Sequence, residues 1–141
     1  MANQNIAAAA RRGNPPLGVT LVSSFYVFGA IVLLIALFLN PVEVSADIAQ
    51  RHGLSTDIGV VVLPAVALLG LAIAYGLYSL SRWGLALTVV YLAYFAGVSV
   101  YNGALSWSVS GQPSEPIALG NFTWSALVIV YLLLNRARFR S

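Results

Sequence analysis

Two tracts constrain this chain more than anything else in it: from residue 58 to 81 there is no Asp, Glu, Lys, Arg or His, and from 83 to 114 there is again none. Only Arg82 separates them. A helix crossing a bilayer needs about 20 predominantly apolar residues, because the hydrocarbon offers no partner to an open backbone. Both tracts meet that need, and so do residues 17–39, which carry no charge at all. A shorter fourth stretch, 117–134, begins with the less apolar Gly120, Asn121 and Thr123.

Composition points the same way. Of 141 residues 60% are hydrophobic and 8% charged, against about 25% charged in an ordinary soluble domain. Such a chain cannot clothe itself in water-facing side chains. It contains no cysteine, so disulfides, thiolate metal sites and cysteine nucleophiles are excluded together.

The expected fold is therefore all-α: a polytopic integral membrane protein with a four-transmembrane-helix bundle and both termini cytoplasmic. Its parts are an N-terminal segment over 1–16, a transmembrane domain over 17–134 and a basic tail over 135–141. The spans are set at 17–39, 58–80, 84–105 and 117–134, with outer loops at 40–57 and 106–116. Asn40-Pro41 ends the first span, since proline lacks the amide the helix would use. The first apolar run is far longer than the ~7–15 residues of a signal-peptide core, which predicts a retained span.

The charges supply the orientation. Every basic residue except His52 is an arginine. With four spans, Arg11, Arg12, Arg82, Arg136, Arg138 and Arg140 fall on one side. Glu43, Asp47, Asp57 and Glu115 fall on the other, with Arg51 and His52 among them. Short loops rich in Lys and Arg stay in the cytoplasm, which places both ends there. Arg11, Arg12, Arg82, Arg136 and Arg138 are then interface anchors against anionic lipid, joined by the amphipathic Trp83 and Trp107. This distribution is a topology signal and not a contiguous basic patch, so no nucleic-acid partner is expected.

Between the first two spans, residues 40–57 predict a short interfacial helix. Ser45 is its expected cap, Gly53 its left-handed stop, and Asp47 and Arg51 an acid-first pair four residues apart. Residues 108–116 predict a turn region, and 6–12 a brief N-terminal helix stopped by Gly13. Pro64 predicts a kink or a late start of the second span. Small residues four apart, among them Ala72 with Gly76, Gly84 with Thr88 and Ala93 with Gly97, predict close helix packing, first of all between the second and third spans.

Candidate ligand groups are few. Tyr91, Tyr94 and Tyr101 lie on nearly one side of the third span, and with Asn102 and Asn121 they form the candidate set for contact with a lipid, a quinone or a pigment. A hydroxyl at membrane depth needs a partner, and helix packing supplies one more often than a ligand does. His52 is the single histidine and the candidate metal ligand, although a loop histidine without a second histidine or thiolate is ordinarily solvated. No cofactor and no metal are expected.

Within the spans there is no Asp, Glu, Lys, Arg or His. Proton-coupled transporters and intramembrane enzymes depend on such groups, so the chain is read as a non-enzyme. No motif carries a resemblance to a family from which a function could be transferred. The expected role is an accessory or assembly subunit of a larger bioenergetic, photosynthetic or respiratory complex. The partners are then lipids and other membrane subunits or further copies of the chain, in a prokaryotic-type inner membrane or a thylakoid. The alternative is a small homo-oligomeric channel or facilitator lined by Ser23, Ser24, Thr88, Ser99 and Asn121. An interfacial enzyme using the outer acids and His52 comes third.

Overall fold

The computed structural model describes residues 14–111 and 116–139. Arg11, Arg12, Glu115, Arg140 and the helix expected over 6–12 lie outside them. The described residues form five α-helices and two short 3-10 turns, with no strand. The helices are α1 (Leu17–Leu39), α2 (Pro41–Arg51), α3 (Gly59–Tyr78), α4 (Arg82–Ser110) and α5 (Pro116–Leu134). Among them α1, the stretch Thr56–Tyr78 and α4 are long and apolar enough to cross a membrane, and α5 is a shorter apolar helix.

The helices form two close pairs, α1 against α3 and α4 against α5, with α3 and α4 joined by a tight turn. Small groups allow the α1–α3 approach: a Cβ at Gly70 would stand 3.6 Å from the Ala30 methyl and from the Tyr26 carbonyl oxygen. Aromatic rings fill the wider gap between the pairs. Phe25 of α1 meets Trp124 of α5 at 5.2 Å between ring centroids. Tyr26 meets Tyr91 of α4 edge-on at 6.4 Å, and the ring of Tyr131 rests on Gly18.

One end of the bundle holds most of the core. Val19 and Val22 of α1 gather there with Ile73 and Leu77 of α3, Leu92 of α4, and Val128 and Leu132 of α5. Phe139 joins them at 3% exposure, brought in by the 3-10 turn Arg136–Arg138 after α5. The tail expected to be merely basic thus plants an aromatic plug in the end of the bundle while Arg136 and Arg138 stay exposed.

The α3–α4 turn explains why that end is tight. Leu80 adopts a left-handed φ of 52°. Its amide donates to the Leu77 carbonyl, and the amide of Ser81 donates to the Gly76 carbonyl, both at 3.0 Å, which is the Schellman way of closing a helix. The Ser81 hydroxyl then donates to the same Gly76 carbonyl at 2.9 Å and accepts from the Gly84 amide at 3.2 Å. It ends one helix and caps the next. Gly76 and Gly84 touch: a Cβ on either would overlap the backbone of the other.

Several expectations need correction. The helix over the first outer segment starts at Pro41, directly after Asn40, so Ser45 is not its cap but lies buried on its inner face. Proline with its fixed φ is pre-organised for the first helical position, which moves the start five residues upstream. Helix α4 runs 29 residues to Ser110, so 106–110 are helical and not loop. The helix continues through Asn102 and Gly103, and Gly111 ends it at φ 64°, its amide donating to the Trp107 carbonyl. Pro64 sits inside the second long helix as expected, and that helix, α3, follows the 3-10 turn Thr56–Ile58. Gly97 has nothing within 4 Å of where a Cβ would stand, so among the described residues it packs against no other helix.

Candidate functional site

Helix α2 is amphipathic for a simple reason: Glu43, Asp47, Gln50 and Arg51 point outward, while Ser45, Ala49 and His52 are buried. Its buried side is made of small groups, and it lies against α3 so closely that a Cβ at Gly59 would come within 2.7 Å of the Ser45 carbonyl oxygen. Arg51 and Asp47 form the expected ion pair at 2.8 Å. Both side chains are exposed, so the pair contributes no more than about 0.5 kcal/mol.

His52 ends α2, and here the expectation of a solvated ring fails: the residue is only 6% exposed. Its Nδ1 stands 2.7 Å from the Ile48 carbonyl oxygen. A carbonyl only accepts, so Nδ1 carries the hydrogen. In that tautomer Nε2 of the neutral ring accepts from the Tyr91 hydroxyl, 3.0 Å away. The Tyr94 hydroxyl donates to the His52 backbone carbonyl. Phe95 packs on the imidazole at 5.3 Å and stacks with Tyr91 at 6.1 Å. Gly53, left-handed at φ 68°, turns the chain away and faces Val98.

Three residues singled out in the sequence for different reasons, His52, Tyr91 and Tyr94, therefore meet in one place. Two donors and an aromatic platform on α4 clamp the end of α2. Both imidazole nitrogens are engaged by the protein. Among the described residues no group of three or more His, Asp or Glu side chains could hold a metal ion. The other candidates lie apart from this cluster: Tyr101 is exposed further along α4, and Asn102 and Asn121 are half-buried. Phe95 and Tyr26 were missed in the sequence. Phe95 had a signal, since it falls one turn after Tyr91.

Of the uncharged polar residues expected to line a path, Ser23, Thr88 and Ser99 are buried, Ser24 is exposed and Asn121 is half-buried. Thr88 donates to the Gly84 carbonyl of its own helix at 2.6 Å. Trp83 and Trp107 are exposed, as is Arg82.

These features define the class as an all-helical chain with three membrane-length apolar helices and a shorter fourth. Comparison with protein-family models, with curated proteins and with solved structures finds no match.

Proposed function

We propose that this is a four-span membrane protein with both ends in the cytoplasm, acting without catalysis as an accessory or assembly subunit of a larger membrane complex. The observation that carries the reading is the chain's exterior. Phe28, Phe38, Leu68, Val90, Leu127 and Val130 are each more than half exposed and lie on the outer faces of helices that, past Arg82 at the start of α4, contain no Asp, Glu, Lys, Arg or His. An apolar surface of that extent calls for lipid or another apolar protein. The face of α4 bearing Ala93 and Gly97 is open and made of small residues, the type that admits a neighbouring helix.

The orientation follows from charge. Contacts such as Gly18 with Tyr131 and Gly76 with Gly84 set the start of α1, the end of α3, the start of α4 and the end of α5 at one end. Arg82, Arg136 and Arg138 belong to that end, and Glu43, Asp47 and Asp57 to the other. The host is a bioenergetic, photosynthetic or respiratory complex, in a bacterial-type plasma membrane or a thylakoid. The cofactor contacts are those of a surface, with lipid, quinone or pigment at its edge.

Two measurements test this. A cysteine placed beside Arg82 resists a membrane-impermeant thiol reagent in intact cells and reacts after lysis; labelling of intact cells overturns the orientation. Purification in mild detergent, followed by mass spectrometry, yields a stoichiometric set of other subunits. A pure homo-oligomer that carries ions in liposomes overturns the accessory role in favour of the channel.

A further inference from the structure

A groove of about 570 Å³ runs along the outside of the α1–α3 pair, within the range of sites that hold a small molecule. Its lining changes character along its length. Near the start of α1 and the end of α3 it presents the hydroxyl-bearing Ser23, Ser24, Tyr75 and Tyr78. Toward the middle of the bundle it presents Phe28 and Ile31 and no polar side chain.

Ser23 is the telling residue. It is 4% exposed, and its hydroxyl has no hydrogen-bond partner among the described residues. A buried donor without an acceptor costs roughly 1–3 kcal/mol, so a ligand that brings an acceptor there is favoured. Arginine stands at the same end. Arg82 follows Tyr78 by four residues and is exposed, and its neighbour Trp83 packs on Tyr75 at 6.3 Å.

We infer that this groove holds one anionic glycerophospholipid of the leaflet on the Arg82 side, with its ester carbonyls at the hydroxyls, its phosphate toward Arg82 and an acyl chain along Phe28 and Ile31. Each part of that molecule answers a part of the groove: acceptors meet donors, an anion meets a cation, and a hydrocarbon chain meets an apolar trough. A quinone offers the carbonyls but no anion for the arginine. A second copy of this chain offers an apolar face but no acceptor for Ser23. The inference rests on the membrane reading above and not on the accessory role.

The test uses the full chain, delipidated in detergent and then incubated with phosphatidylglycerol, phosphatidylcholine or ubiquinone. Native mass spectrometry counts the molecules retained per chain. Phosphatidylglycerol stays bound at one per chain and outlasts the other two as collision energy rises. Val27→Trp, which fills the groove from an exposed position, abolishes that retention, and Arg82→Gln removes the preference for phosphatidylglycerol over phosphatidylcholine. Circular dichroism melting confirms that both variants are folded, and Phe38→Trp, on α1 but away from the groove, serves as a second control and retains the lipid. Equal retention of all three molecules, or undiminished retention by Val27→Trp, overturns the site. Since the readout needs no other subunit, the site can fail while the accessory role stands, and the reverse.

Discussion

Single hydroxyls have opposite worth in this protein, depending on whether a partner is in place. The Ser81 hydroxyl joins the Gly76 carbonyl to the Gly84 amide, so Ser81→Ala removes a cap and lowers stability by about 1–2 kcal/mol. Ser125 is fully buried in α5, and its hydroxyl has no partner among the described residues. Ser125→Ala is therefore expected to leave stability unchanged or to raise it by up to about 1 kcal/mol. Unfolding in a titration of denaturing against mild detergent, followed by circular dichroism, measures both. A loss on Ser125→Ala as large as that on Ser81→Ala would refute the contrast. His52 teaches the same lesson about sequence. Its partner Tyr91 lies 39 positions away, and no local pattern announces such a pairing. A lone histidine between an arginine and a glycine reads as solvated until the topology brings a tyrosine to it.

At the scale of elements, contact distance decides what a glycine is worth. Gly84→Ala forces its new methyl into the Gly76 backbone, and backbone cannot give way as a side-chain tip can. It should cost about 1–3 kcal/mol in the same titration. Gly97→Ala meets nothing within 4 Å and should be neutral or gain up to about 1 kcal/mol from helix propensity. Equal effects would show that the α3–α4 approach is looser than described. The helices themselves were legible, because tracts free of charge and of adequate length leave few alternatives in lipid. Their ends were less so. Residues 106–110 read as loop because serines dilute the apolar run, yet Ser108 turns its hydroxyl back to the Leu105 carbonyl at 2.8 Å and lets the helix continue. Pro41 was legible as a terminator, through its missing amide, and overlooked as an initiator, the role its fixed φ suits.

For the whole molecule, the distribution of tight contacts divides the bundle. The end that carries Arg82, Arg136 and Arg138 has the main core, the glycine contact and the Phe139 plug. The other end is fastened by α2 and by the aromatic cluster around His52. Phe139→Ala is expected to reduce stability by about 3 kcal/mol and to expose the tail to protease, read by the midpoint of detergent unfolding and by cleavage after Arg138. A variant that melts with the native protein would show the plug to be idle. Nothing in the sequence marked Phe139, a single aromatic among arginines with no periodic companion. The candidate site was legible as a list of side chains and illegible as a place, since loops decide which of them meet.

The left-handed leucine at position 80 has a consequence for how such a chain comes to be assembled. Only residues 79–81 separate α3 from α4, and closing so short a connection costs little chain entropy. The two rods have no freedom to wander apart once both exist. They enter the bilayer already acquainted, and the remaining rods find a finished wall to lean on.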